Sequence, residues 1–435
     1  MFDIEELGPA QLGISGLDAG LAEDEMALQL TLHDFALNVM RPIGKELDRM
    51  TPSDVVASGS PIFDYIAEFD KLGIGPATVA ELEPEAAGRL LPLVFEELGF
   101  GDPGLGLMSM ILKFPSATAH ATGNQNLIDQ FGDKLGCWIA TQPNRGSDVV
   151  DMDGANIHAG SLQDPGNLRA RVGQDHVILH GQTSAWVSGS PIAECGLVYC
   201  AADYGSGYLK PNGAINGIVM LVDFNLKGVS KGKPLDKMGQ RPLPQGEVFF
   251  DSVKVPMECV VVEDDRFLES FFGALTFGNM EMASVFTGVA KAAYEHALAY
   301  CHERIQGGVR LIDHQMTRFR VFEMFRKLEM CRAIARRAAM YNYVTGPHCL
   351  ASVTAKTSVT ELAVEIVGEA LQLFGANGLT HEYPMEKIMR DVRASLIEDG
   401  ENYVLKMKGG AWLSESYREQ FGIHGSTDTF SKSTT

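Results

Sequence analysis

The spacing of apolar positions changes twice along the chain. From about residue 22 to 135 they recur every three to four residues, the signature of a helix with one buried face. MALQLTLHDFALNVMRPIGKELDRM carries this pattern, interrupted by Pro42, and RLLPLVFEELGFGDPGLGLMSMILKF carries it on both sides of a GDPG turn. It resumes over Asn126–Leu135, after the break at Gly123–Asn124. From Cys137 to about Pro256 the pattern becomes short apolar runs, CWIAT, HVILHGQ, CGLVYCAA, GIVMLVDF and GEVFFDSVKVP. Gly, Pro and Asp separate these runs and no long amphipathic stretch intervenes, which predicts a small β-domain. After Val262 long helical patterns return, in GALTFGNMEMASVFTGVAKAAYEHALAYCHERI, DHQMTRFRVFEMFRKLEMCRAIARRAAMYNYV and SVTAKTSVTELAVEIVGEALQLFG. The expected order is an all-α domain over 1–135, a β-domain over 136–260 and a helical bundle over 261–420. A polar tail, 421–435, is expected to be disordered.

Composition narrows the function classes. Of 435 residues, 45% are hydrophobic, ample for a globular core. No apolar run reaches the roughly 18 residues of a membrane span. The net charge of −20 repels phosphate backbones and argues against nucleic acid as a partner. The one basic cluster, Arg332–Arg337, reads as a solvated helix face or a bundle seam. Seven cysteines are scattered without CxxC spacing, so neither a zinc site nor a disulfide framework is expected, and no other metal site is indicated. The segment MFDIEELGPAQLGIS has no basic n-region and no apolar h-region, and the expected location is cytoplasmic.

The chemistry concentrates in Gln372–Asn402, QLFGANGLTHEYPMEKIMRDVRASLIEDGEN. A glycine turn leads into a helix, and the helix ends in three acids, Glu398, Asp399 and Glu401, around Gly400. A carboxylate on a loop after a rigid helix, beside a glycine that lets a ligand approach the backbone, suits proton abstraction.

Four further stretches, in this order, carry a family resemblance. T-Q-P-N-R-G-S-D at Thr141–Asp148 resembles a T-E-P-x-A-G-S-D signature, and G-Q-T-S-A-W-V-S-G at Gly181–Gly189 resembles a strand pair bearing a flavin-covering tryptophan. H-E-R-I-Q-G-G-V-R-L-I-D-H-Q at His302–Gln315 resembles an arginine-to-His-Gln segment. Q-L-F-G-A-N-G at Gln372–Gly378, followed by P-M-E-K-I-M-R-D at Pro384–Asp391, is similar to a C-terminal block. Together they make the chain resemble an acyl-CoA dehydrogenase-superfamily flavoprotein over about residues 25–415. The resemblance implies an α+β fold: an N-terminal helical domain, a β-barrel-like middle domain and a C-terminal four-helix bundle. It also implies FAD, an acyl-CoA substrate, an electron-transferring flavoprotein as electron acceptor, and a homotetramer.

Carried over residue by residue, Trp138, Thr141, Ser147, Trp186 and Ser188 are expected around the isoalloxazine. Arg304, Gln315, Gln372, Gly375 and Ala376 are expected on the pyrophosphate and adenosine half of a neighbouring subunit's flavin. Glu401 and Tyr403 are counted with the cofactor residues, and Ser147, Asn279 and Gly400 with the substrate. Departures from the pattern are Gln142 for the usual acid, Asn144-Arg145 for small residues, and Ile305-Gln306 where an aromatic-Gly pair is usual. Arg145 is either a charge partner for a phosphate of CoA or FAD, or a surface arginine.

The familiar loop is Glu-Gly-Thr. Here the catalytic position falls on Asp399, one methylene or about 1.5 Å shorter, in Asp399-Gly400-Glu401. Glu398 competes if the loop shifts by one. Glu281 competes because some relatives carry the base on the first long C-terminal helix, at Gly278 by count, followed by Asn279 where arginine is usual. The expected reaction is removal of the α-proton and β-hydride of a small, branched or cyclic acyl-CoA. Two alternatives stay open. One is a nitroalkane-oxidase-like enzyme, with Lys406 as a positive neighbour to Asp399; the other is a FAD-binding subunit without catalysis in a hetero-oligomer.

Overall fold

The structure is a computed structural model that describes residues 16–17, 21–152, 164–211 and 214–422. Helix α1 (Glu23–Phe35) starts where Glu25 reaches back to the Ala22 N–H at 2.9 Å. It continues through a π-helical turn at Ala36–Met40 into α2 (Arg41–Leu47), so Pro42 loosens one turn without ending the helix. The next five helices, α3 (Pro52–Val55), α4 (Pro61–Asp70), α5 (Pro76–Ala80), α6 (Pro84–Gly101) and α7 (Pro103–Ala121), each begin on a proline. Its fixed φ and missing N–H suit the first turn. The GDPG stretch is the α6–α7 junction, where Asp102 caps the Leu105 N–H at 3.1 Å. Helix α8 (Gln125–Phe131) closes the N-terminal region.

Among the described residues the middle region has ten strands: β1 (Gly136–Ile139), β2 (Arg169–Val172), β3 (His176–Gln182), β4 (Val187–Ser188), β5 (Cys195–Asp203), β6 (Gly217–Asp223), β7 (Val229–Lys231), β8 (Gln245–Gly246), β9 (Val248–Pro256) and β10 (Val260–Val262). Eight form one sheet ordered β10-β6-β5-β2-β3-β9-β7, with β1 also beside β5, while β4 and β8 pair separately. The pairs β1–β5 and β2–β5 are parallel and the rest antiparallel. Strands β5 and β6 are apolar up to a terminal aspartate because both their faces are covered.

The C-terminal helices are α9 (Phe267–Glu303), α10 (Gln315–Val344), α11 (Cys349–Phe374), α12 (Met385–Ala394) and α13 (Asn402–Phe421). A hairpin of β11 (Ile305–Gln306) and β12 (Val309–Arg310) joins α9 to α10. Phe421 ends α13 and Gly422 caps it, and the rest of the predicted tail lies outside the described residues. Helix α9 ties the layers together. Its first turns, with Phe267, Phe271 and Leu275, pack into the sheet's core, and its later turns pack into the helical core. There α6 comes within backbone distance: a Cβ on Gly288 would lie 1.9 Å from the Glu96 oxygen, and one on Gly99 1.8 Å from that of Val285.

The basic cluster is a seam, with buried Arg332 donating to Glu96 at 2.8 Å and to Glu329 at 2.6 Å. Arg145 is buried and donates to the Asp164 carbonyl, so it is not a surface arginine. All seven cysteines are buried and free. Among the described residues there is no metal-ligand cluster, and no helix is long and apolar enough to cross a membrane.

Candidate active site

The acid loop hangs between α12 and α13. Asp399 (φ +50°) and Gly400 (φ +92°) are both left-handed, which turns the chain sharply. Aspartate tolerates that region better than most side chains, and Gly400 is needed because a Cβ there would meet Leu405 at 2.7 Å. Glu401 then caps α13, its carboxylate accepting from the N–H groups of Tyr403 (2.9 Å) and Val404 (3.1 Å). Its own N–H donates to Ser147 Oγ at 2.9 Å, fastening the loop to the middle region. Capping engages Oε2 of the Glu401 carboxylate, which was expected among the cofactor residues.

Two residues pin the loop from below. Fully buried Lys356 on α11 donates to the Gly400 carbonyl and to Asn402 Oδ1, both at 2.8 Å. Asn279 on α9 donates to the carbonyls of Asp399 (3.1 Å) and Leu275 (3.0 Å). The Asp399 carboxylate lies over the bare backbone of Gly278, its Oδ2 3.8 Å from where a Cβ would stand. The loop position and the helix position for a base thus converge on one point. Asp399 and Gly400 N–H groups have no acceptor among the described residues, so the loop offers a carboxylate and unpaired backbone donors side by side.

The electrostatics separate three acids. Burial lifts Asp399 above the usual carboxylate range, opposed by the charge of Lys356. Burial, reinforced by the charge of Asp399, pushes Glu281 up to about 8. Burial lifts Glu398 to about 7, against the pull of a 2.6 Å hydrogen bond from Gln240 Nε2. Lys356 itself falls to about 8 through burial. Lys406, the proposed positive neighbour, instead pairs with Glu361 at the surface. That correction takes Lys406 out of the nitroalkane reading, which keeps only the aspartate of the Asp-Gly-Glu-Asn loop.

Gln240 and the residues around it were not singled out from sequence. At φ +49° its N–H donates to Asp391 Oδ1 at 2.5 Å while its side chain reaches Glu398. Asp391 is also held by Lys387, which bridges to Asp102 of α7's cap, both at 2.6 Å. Nearby, Lys237 donates to Gln245 Oε1 at 2.8 Å, and Gln245 Nε2 donates to Ser188 Oγ at 2.9 Å. No motif spacing announces most of these contacts, because they join residues far apart in the chain.

The expected flavin residues fall on two faces. Trp186 is 62% exposed, so it is not a core residue, and Ser184 Oγ accepts from its N–H at 3.3 Å and shares a hydrogen bond with Thr141 Oγ1 at 2.7 Å. Trp138 stands apart, packed among Phe114, Tyr199 and Phe271 at centroid distances of 6.0, 6.1 and 6.5 Å. There it packs between the sheet and α9. Arg304, Gln315, Gln372, Gly375, Ala376 and Tyr403 are all exposed. Tyr300 stacks on Phe374 at 4.1 Å and accepts from Asn377 at 2.9 Å, which brings the Arg304 hairpin beside the Gln372–Gly378 turn. Tyr300 is 22 residues beyond Gly278 on α9, about 33 Å at 1.5 Å per residue.

A cavity of about 180 Å³ lies elsewhere, lined by Arg41, Phe100, His296, Tyr383 and Lys387. Lys387, Asp48 and Asp102 along its wall are committed to ion pairs, which makes it a structural junction.

The family model described as "Acyl-CoA dehydrogenase, C-terminal domain" matches residues 268–413, the part that holds Gly278, Lys356 and the acid loop. Residues 268–413 therefore form an acyl-CoA dehydrogenase C-terminal domain. The short-chain specific acyl-CoA dehydrogenase of Rattus norvegicus mitochondria is 28% identical over 92% of each chain. Cyclohex-1-ene-1-carbonyl-CoA dehydrogenase of Syntrophus aciditrophicus is 27% identical over 71% of this chain and 69% of its own. The butyryl-CoA dehydrogenase structure from Megasphaera elsdenii superposes with a TM-score of 0.76 at 23% identity, covering 91% of this chain and all of that one. The chain therefore has that fold, with helical ends around a central curled sheet.

Proposed function

We propose that this protein is an FAD-dependent dehydrogenase that forms a 2,3-double bond in a small acyl-CoA, with Asp399 as the base. The observation that carries the reading is the placement of the Asp399 carboxylate over bare Gly278, on a loop whose Asp399 and Gly400 N–H groups have no acceptor among the described residues. An α-proton beside a thioester is weakly acidic, so its removal needs a positioned carboxylate and donors on the carbonyl oxygen where enolate charge grows. Asp399 supplies the first and the loop N–H groups fit the second. A carboxylate lifted by burial is also a stronger base than one in water.

The residues fit the cofactor. The exposed Trp186 indole, flanked by Thr141, Ser184 and Ser188, forms a face suited to a planar ring with hydrogen-bonding edges. FAD, when bound, accepts the hydride from the β-carbon. The α-proton passes to Asp399, so the substrate loses two hydrogens and gains a carbon–carbon double bond. The Arg304 and Gln372–Gly378 surface, about 33 Å along α9 from Gly278, serves a neighbouring subunit's flavin in a homo-oligomer. Electrons leave to an electron-transferring flavoprotein.

The test is anaerobic addition of butyryl-CoA to the FAD-loaded protein, which should bleach the flavin's long-wavelength band. Asp399→Asn should keep the yellow colour and slow bleaching by at least about 1000-fold. Bleaching at the wild-type rate in that variant would rule out Asp399 as the base.

A further inference from the structure

We infer that the junction cavity between α2, the α6–α7 turn, α9 and α12 binds a small organic carboxylate, held by Arg41 and His296. This is independent of the dehydrogenase reading. The cavity measures about 180 Å³, and helix faces point into it. Val289, Ala292 and His296 line it from α9 at three- and four-residue steps, and Arg41, Lys45 and Asp48 do so from α2. Residues at those steps share one face of a helix, so His296 and Arg41 stand on the faces turned to the cavity.

The ion pairs of the lining leave both residues out. Asp48 pairs with Arg390, Asp102 and Asp391 with Lys387, and Glu386 with Arg390. Glu382, the remaining acid of the lining, is exposed. The Arg41 guanidinium carbon lies 3.9 Å from the Phe100 ring centroid, and Nε and Nη2 both donate to the Phe100 carbonyl at 3.3 Å. Among the described residues its Nη1 has no acceptor and no acid pairs with it. Glu97 and Glu295 act on its charge only from a distance. Glu97 is taken by Lys291 at 2.6 Å and His33 at 2.9 Å, and Glu295 is not part of the lining. His296 makes no hydrogen bond among the described residues. Burial, aided by the charge of Arg41, holds it down to about 4, so at neutral pH it is an uncharged ring with one N–H to donate.

A guanidinium with a free nitrogen and an imidazole with a free N–H offer a cavity one positive charge and two sets of donors. A carboxylate, with two acceptor oxygens, satisfies both. Phe100, Val289, Ala292, Tyr383 and Ile388 also line the space, and an inorganic phosphate would leave these apolar surfaces uncovered. An apolar cavity of about 150 Å³ accepts benzene, so this one suits a carboxylate bearing a ring or chain of about six carbons.

The experiment titrates the full chain with sodium benzoate and, separately, with its neutral isostere benzamide, by calorimetry. The ring signals of His296 are followed by NMR and identified by their loss in His296→Leu. Benzoate should bind at least about 10-fold more tightly than benzamide, as expected when charge-assisted hydrogen bonds are gained. At mildly acidic pH it should also move the His296 signals toward the protonated form, because an adjacent carboxylate favours the imidazolium. Arg41→Leu should abolish the preference for benzoate. Arg41 also holds the Phe100 carbonyl, so His296→Leu, which removes no hydrogen bond among the described residues, is the second variant. It should weaken benzoate at least about 3-fold. Equal affinities for benzoate and benzamide overturn the inference, as does benzoate binding that leaves the His296 signals unmoved. Tighter binding of inorganic phosphate than of benzoate, or no heat up to about 10 mM benzoate, overturns it too.

Discussion

Replacing Glu281 with glutamine should stabilise the protein, and increasingly so as pH rises from 4.5 to 8. Burial and the Asp399 charge lift this carboxyl from 4.5 to about 8 in the folded state. Between those values the unfolded chain has released the proton and the folded chain has kept it. The unfolded state then binds fewer protons, so stability falls with pH, by 1.36 kcal/mol per unit for one group. A span of about 3.5 units gives a loss of about 5 kcal/mol, complete above pH 8 and absent below pH 4.5. Glutamine has the same shape and no charge to bury, so this loss disappears. Urea unfolding of both proteins at half-unit pH steps should give curves that coincide near pH 4.5 and diverge to about 5 kcal/mol by pH 8.5. In an Asp399→Asn background the divergence should shrink, since that charge is the second cause of the shift. Superimposable curves from pH 5 to 9 would refute the claim that Glu281 is held in a poorly solvating site.

Three other substitutions probe the supports of the loop. Gln240→Met removes the 2.6 Å bond to Glu398. It should cost about 1–3 kcal/mol at pH 8, where that acid is ionised, and less at pH 6, as read from unfolding at the two values. Lys356→Met strands two buried acceptors, Gly400 O and Asn402 Oδ1. It should destabilise by about 2–5 kcal/mol and move the acid limb of the flavin-reduction rate to higher pH, because Lys356 opposes the upward shift of Asp399. An unmoved limb would show that Lys356 has only a structural part. Trp186→Ala, at a 62% exposed position, should change stability by no more than about 0.5 kcal/mol and weaken FAD retention at least about 10-fold. Flavin fluorescence released on dilution measures it.

Periodicity reads out the long elements because each buries a continuous face: α9, α10 and α11 all appear in the apolar pattern, as do β3, β5, β6 and β9. Short elements carry too few residues for a pattern. Strand β2, Arg-Ala-Arg-Val, alternates polar and apolar over only four residues, and β4 and β8 are two residues each. Pro42 looked like a break because a proline removes one helical N–H, yet a π turn absorbs the loss. In the site, Asp399 and Gly400 were visible because a helix end and a glycine mark a turn locally. Lys356, Gln240 and Lys237 were not, since a lysine in the middle of α11 looks the same whether it faces solvent or an acid loop 44 residues on. Lys406 was the opposite case, close in sequence and paired elsewhere.

Glu281 and Asp399 lie close enough for the charge of one to act on the other, and their environments push them toward different tasks. A base must be ionised before the substrate's proton arrives, and Glu281, lifted to about 8, holds its own proton at neutral pH. Asp399 has the nearby Lys356 cation opposing its shift. It also has unpaired N–H donors on the same loop, where the thioester oxygen must be held while its α-proton leaves, whereas Glu281 sits mid-helix with its backbone N–H in the α9 ladder. Bare Gly278 lets the shorter aspartate approach α9, and a side chain at 278 would cover one face of that carboxylate. Asp399, rather than Glu281, is therefore placed to take the proton. Exchanging the two acids' roles would require moving both a cation and a pair of backbone donors, which no single substitution at 281 can do.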